Sequence, residues 1–196
     1  MAISLSKGQK ISLSKESDGA LRRVFMGLGW DPVVKKSGFL GGLFGGGGGD
    51  IDLDASVIML DASKTVLDSV SFRKLRSSDG AIQHDGDNLT GEGDGDDEVI
   101  HVNLEQLPAQ ASHLVFTVSS FRGQTFNDVE NAVARLVDET SNKELCRFTL
   151  AEKGAHTGVI MASLSRTADG WQMTAHGQPC QGRTVEDLAT DALSVL

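Results

Sequence analysis

Residues 85–104 read Asp85-Gly86-Asp87-Asn88-Leu89-Thr90-Gly91-Glu92-Gly93-Asp94-Gly95-Asp96-Asp97-Glu98, then Val99-Ile100-His101-Val102-Asn103-Leu104. The first fourteen hold seven carboxylates and four glycines. The last six alternate, putting Ile100, Val102 and Leu104 on one face of an extended chain. That junction decides the fold. An acidic tail stays solvated, whereas an acidic run that passes directly into a half-buried strand is a loop of a sheet.

The run has the make-up of a hard-cation site. Calcium takes six to eight oxygens from carboxylates, amides and backbone carbonyls, and glycines let a chain double back to aim them at one point. Two like charges about 4 Å apart repel by roughly 1 kcal/mol in water and about 4 kcal/mol at an effective dielectric near 20. A divalent ion converts that repulsion into attraction and so couples its binding to loop order. The simpler alternative is a flexible acidic loop that stays solvated. An EF-hand does not fit: counted from Asp94, the ligand positions fall on Asp96, Glu98 and Glu105, but the obligatory glycine position is Val99 and a strand follows where a helix should leave the loop.

A second acidic element lies upstream, in Asp50-Ile51-Asp52-Leu53-Asp54-Ala55-Ser56. A period of two puts Ile51, Leu53 and Ala55 on one face and Asp50, Asp52, Asp54 and Ser56 on the other. At about 3.3 Å per residue, Asp52 and Asp54 stand roughly 6.6 Å apart, a spacing suited to shared or adjacent cations. Read alone, the segment could be an ordinary solvated strand face, although like charges on one face destabilise a sheet.

The rest of the chain sets the frame. Its 196 residues fit one domain spanning 1–196 with a real core, or a two-lobed sandwich. A formal charge of -9 argues against nucleic acid as a partner. There is no apolar run long enough to span a membrane, and the alternating N-terminus lacks the apolar core of a secretory signal, so a cytoplasmic protein is expected. Cys146 and Cys180, the only cysteines, are read as packing residues.

Short strands punctuated by turns recur at 10–14, 24–29, 51–60, 65–71, 99–104, 114–119, 132–137, 144–150, 159–165 and 171–175, with Asp169 and Gly170 as a hairpin signal. This is the pattern of an all-β, antiparallel sandwich of two sheets. Helices are few: Thr125 caps a short turn, and Thr184 with Asp187 forms a capping box before an apolar stripe of Val185, Leu188, Ala189, Ala192 and Leu193 that packs on the sandwich. The low-complexity segment Phe39 to Gly49 is a flexible linker or, through Phe39, Leu40, Leu43 and Phe44, a sticky patch for a protein partner or a membrane surface. It lacks the Gly-Lys-Ser/Thr of a P-loop.

Catalytic signatures are absent. The five histidines show no metal-binding pair spacing and no serine sits in a nucleophile elbow. His84, beside the acidic loop, is the best acid/base candidate, and otherwise a surface histidine without a role.

Taken together, Leu5-Ser6-Lys7-Gly8, Gly27-Leu28-Gly29-Trp30-Asp31, residues 50–56 and 86–98, Gly123-Gln124-Thr125-Phe126, Gly170-Trp171 and Gly177-Gln178 resemble the TerD-domain family of bacterial tellurium-resistance and stress-response proteins, over nearly the whole chain. The Gly-rich insertion and Trp30-Asp31-Pro32 look most like its TerZ branch. The resemblance implies a calcium-binding sandwich holding two or more Ca2+ ions, with no established reaction. Carried onto this chain, the implied ligands are Asp52, Asp54, Asp87, Asn88, the carbonyls of Gly91 and Gly93, and the carboxylates of Asp96, Asp97 and Glu98, with Asp31 and Asp61 as secondary candidates. It also implies other Ter-family proteins as partners and a TerC-type membrane protein met through the Phe39 to Phe44 loop, placing the chain in the cytoplasm or peripherally at the inner membrane face. The expected function is a non-enzymatic scaffold or sensor whose loop order controls partner assembly; the alternative is a metal-dependent hydrolase of phosphate compounds.

Overall fold

A computed structural model describes residues 2–15, 17, 21–32, 52–88, 95–151 and 153–196. In chain order the strands are β1 (Ile3–Leu5), β2 (Lys10–Ser12), β3 (Arg23–Pro32), β4 (Asp54–Leu60), β5 (Val66–Val70), β6 (Ile82–His84), β7 (Glu98–Asn103), β8 (His113–Ser119), β9 (Val129–Asp138), β10 (Lys143–Thr149), β11 (Gly158–Thr167) and β12 (Gly170–Cys180), followed by helix α1 (Val185–Ser194). They form two six-stranded sheets, ordered β1-β10-β9-β3-β7-β6 and β2-β12-β11-β8-β4-β5. Every pairing is antiparallel except β1 with β10.

Alternation explains how the sheets face each other. Val24, Met26, Leu28 and Trp30 of β3, with Ile100 and Val102 of β7, meet Ala55, Val57 and Met59 of β4 and Leu114, Phe116 and Val118 of β8 in one buried cluster. Cys146 of β10 touches Met173 of β12 across this interior, and both cysteines are buried, as packing residues should be. The opposite face of the second sheet is also covered. Ile58, Leu60, Val115 and Ile160 form a separate cluster with Val185, Leu188 and Ala192 of α1. The expected capping box is present: the Thr184 hydroxyl accepts from the Asp187 amide, and the Asp187 carboxylate accepts from the Thr184 amide.

Some local readings need correction. Thr125 precedes a 3₁₀ turn at Phe126–Asp128 but makes no side-chain cap. The β11–β12 turn is Ala168-Asp169, and Gly170, at φ 115°, opens β12. The strands β1 and β6, three residues each, are too short to register as alternation. The Phe39 to Gly49 segment lies outside the described residues. Among the described residues no helix is long and apolar enough to cross a membrane.

His176 of β12 carries a pH consequence. Its Nε2 lies 2.9 Å from the Ser163 hydroxyl of β11, and burial, assisted by the Lys10 charge, pulls its pKa from 6.5 to about 4. The folded state therefore resists a proton that the unfolded chain accepts, so the histidine's contribution is present above about pH 6.5 and lost as pH falls toward about 4. Denaturation of His176→Gln across that window should show a flatter dependence of stability on pH than the parent; parallel curves would count against the burial account.

Candidate functional site

The Asp85–Glu98 run connects β6 to β7, which pair antiparallel at the edge of the first sheet. Its ends are described and residues 89–94 are not, so Gly91 and Gly93 lie outside the described residues. The upstream acidic element meets it from the second sheet. Asp52 just precedes β4, and Asp54 is its first residue.

Asp52 and Asp54 are buried, at 4% and 2% exposure. This face of β4 is therefore not a solvated strand face. Among the described residues, one oxygen of each, Asp52 Oδ1 and Asp54 Oδ2, has no hydrogen-bond partner. Asp52 Oδ2 meets Arg122 Nε at 2.9 Å, and the backbone amide of Phe121 donates to Asp54. The exposed Asp87 completes a trio that could hold a metal ion: each residue offers one carboxylate oxygen, and these lie within 4.8 Å of one another. Burial, followed by the charges of Glu98, Asp52 and Asp87, drives the Asp54 pKa up to about 7. Burial likewise raises Asp52, against the pull of Arg122. Orphaned buried carboxylate oxygens are costly, and a hard cation answers the need directly. The donor set fits calcium's preference for oxygen ligands.

The other candidate ligands among the described residues each make contacts within the protein. Glu98, 2% exposed, binds inward: its Oε2 accepts from Ala55 N at 2.6 Å and lies 3.2 Å from His84 Nε2, and its Oε1 accepts from Asn88 N at 3.2 Å. Burial raises its pKa while His84 opposes the shift. Asp97 accepts from Trp30 N through Oδ2 at 2.7 Å and from Asn88 Nδ2 through Oδ1 at 3.1 Å. Asp96 is turned away, clasped at 2.7 Å by both Nε and Nη2 of Arg135. Of the secondary candidates, Asp31 accepts from Asn131 Nδ2 at 2.7 Å, and Asp61 caps a turn by accepting from Ser63 N and Thr65 N. The geometry thus gathers Asp52, Asp54 and Asp87, uses Glu98, Asn88 and Asp97 to pin the two ends of the loop, and spends Asp96 on an ion pair.

His84 is not a surface residue. It is 2% exposed, its Nδ1 accepts from Gly86 N at 3.0 Å, and its Nε2 faces both Ala55 O and Glu98. Burial works to lower its pKa, but the hydrogen bond and charge of Glu98 prevail and raise it. The alternation of Ile82 with His84, and of Glu98 with Ile100 and Val102, carried this information in the sequence. Arg122 and the Phe121 amide, supplied by the loop after β8, had no such signal.

Comparison with known proteins agrees with the fold. The TerD domain model matches residues 1–191. The tellurium resistance protein TerZ of Serratia marcescens is 56% identical over 194 residues, covering 99% of this chain and 98% of that one. The stress response protein SCP2 of Bacillus subtilis (strain 168) is 41% identical over 195 residues, covering 96% and 98%. Among solved structures, a homologue of the telluride resistance protein TerD from Streptomyces coelicolor A3(2) superposes with a TM-score of 0.67 at 23% identity, over 87% of this chain and 96% of that one, which speaks to the fold. Two antiparallel-dominated sheets, a terminal helix and a full-length match leave one assignment: the chain belongs to the TerD-domain family of tellurium-resistance and stress-response proteins.

Proposed function

We propose that this protein is a calcium-binding, non-enzymatic member of the tellurium-resistance and stress-response system, in which cation binding orders the Asp85–Glu98 loop and thereby controls assembly with partner proteins. The reading rests on two buried carboxylates, Asp52 and Asp54, that each keep one oxygen without a partner among the described residues and that gather with Asp87. Asp52, Asp54 and Asp87 would hold the ion, Asn88, Asp97 and Glu98 would fix the loop around it, and the carbonyls of Gly91 and Gly93 remain proposed ligands. The ion would supply charge neutralisation where three carboxylates converge. Partners would be other Ter-family proteins, at a cytoplasmic or inner-membrane location.

The hydrolase alternative is weakened at its best acid/base candidate, His84, whose ring nitrogens are both engaged inside the fold, and would have to rely on a loop carboxylate as base. Calorimetric titration tests the calcium reading. Calcium at a hundredfold excess over its dissociation constant should stabilise the protein by about 2.7 kcal/mol per site, with magnesium weaker because it demands compact octahedral geometry. Asp54→Asn should abolish most of the heat of binding. Parent protein whose melting after chelation is unmoved by added calcium would sink the proposal.

A further inference from the structure

The rim of the same end of the sandwich carries a feature the metal does not explain. Ser71-Phe72-Arg73-Lys74-Leu75-Arg76 runs from the edge of the second sheet to that of the first: Ser71 follows β5, the Leu75 carbonyl accepts from His84 N of β6, and Arg76 bridges Gln83. Arg73, Lys74, Leu75 and Arg76 are all exposed. Phe121 and Arg122 lie alongside. The Phe72 and Phe121 rings meet edge-on at 5.6 Å, and the Arg73 guanidinium sits over both, at 5.3 and 5.1 Å.

This patch is unusual for a chain of net charge -9. Leu75 and Phe121, 45% and 42% exposed, are two of the three exposed large hydrophobic side chains among the described residues. Lys74 is bound to Asp68 and Arg122 to Asp52, while among the described residues Arg73 and Arg76 have no carboxylate partner.

We propose that Phe72, Arg73, Leu75, Arg76, Phe121 and Arg122 form a docking face for an anionic lipid bilayer, with Leu75 and Phe121 entering the interface and the arginines meeting the headgroups. Apolar tips flanked by cations match the layered polarity of a membrane surface. Its arginines without a carboxylate partner among the described residues also make the patch a part of this acidic molecule that such a surface would not repel. Single-stranded nucleic acid is the poorer fit. Base stacking needs open ring faces, whereas these rings contact each other and lie under Arg73, and Leu75 offers no ring.

Phe121 and Arg122 touch Asp54 and Asp52, so a divalent ion there would add positive charge behind the patch and strengthen docking. Only this strengthening depends on calcium binding at Asp52 and Asp54.

Sedimentation with vesicles of equal parts phosphatidylcholine and phosphatidylglycerol, against phosphatidylcholine alone, tests the face, with calcium and with chelator. Binding should require phosphatidylglycerol. It should fall about fivefold for each of Arg73→Gln and Arg76→Gln and at least about tenfold for Phe121→Ser combined with Leu75→Ser. These side chains are exposed, so melting temperatures should hold. Trp30 and Trp171 are buried, so Phe121→Trp adds a distinguishable fluorophore whose emission should shift to the blue on vesicles. Equal binding to both vesicle types, undiminished binding of the double variant, an unshifted Phe121→Trp spectrum on sedimented protein, or capture only by RNA or an acidic peptide would each overturn the docking face. Binding that is identical in calcium and chelator sustains the face and counts against the metal reading; calcium uptake without vesicle binding does the reverse.

Discussion

Glu98→Ala is expected to lower the melting temperature by roughly 6–20 °C, since breaking a buried charged network by removing one partner costs about 3–5 kcal/mol and each kcal/mol moves a chain of this size by about 2–4 °C. Few side chains here hold so many separate pieces. The carboxylate belongs to β7 of the first sheet, accepts from Ala55 in β4 of the second, accepts from Asn88 at the start of the acidic loop, and meets the buried His84 of β6. Truncation strands two amide hydrogens and a histidine without water to replace the lost acceptor. Glu98→Gln should fall between parent and alanine variant, because one carbonyl oxygen survives and the new amide group confronts existing donors. Thermal unfolding followed by circular dichroism measures both. A loss below about 1 kcal/mol for Glu98→Ala would mean that the sheets are held together at this end by something other than this network.

Leu188→Ala should cost about 2–5 kcal/mol, the range for deleting a fully buried leucine side chain. Leu188 is 0% exposed within the cluster that α1 forms with Ile58, Leu60, Val115 and Ile160. The helix is ten residues long, too short to be stable in water by itself, so its order depends on this contact. Loss of the contact would uncover the outer face of β4 and β8. The partly buried Leu193 provides the comparison: Leu193→Ala should cost clearly less. Equal, small effects in chemical denaturation would show that the helix is an accessory rather than the lid of an apolar sheet face.

Much of the fold was readable because alternation survives wherever a strand has one wet face or one clear apolar face. It was weakest at β4, whose seven residues are all buried. There Asp54, Ser56, Ile58 and Leu60 share the face toward α1, and only the change along that face from polar to apolar hinted that a helix covers part of it. The strands β1 and β6 were too brief to show a period. The acidic residues were visible as a group, but their division of labour was not. Which carboxylates converge and which are spent elsewhere depends on Arg122 and Arg135, far along the chain, and spacing inside the loop carries no information about either. Glu98 is the instructive case: its place in step with Ile100 and Val102 marks it as inward-facing, and inward burial favours internal hydrogen bonds over solvent contact.

Three consecutive residues finally give the loop a mechanical meaning. Asp85 is tied to the first sheet through His101, whose other ring nitrogen is held by Glu139 at the β9–β10 turn. Asp87, two residues on, meets Asp52 and Asp54 where the chain enters β4 of the second sheet. Gly86 between them, at φ 128° and open around its α-carbon, is the point where the chain crosses over. The tether is so short that opening of the sandwich at this end must either break the His101 clasp or withdraw Asp87 from its neighbours. A ligand gripping Asp87 would then act as a buckle on the whole end of the molecule, felt in β9 as well as in β4.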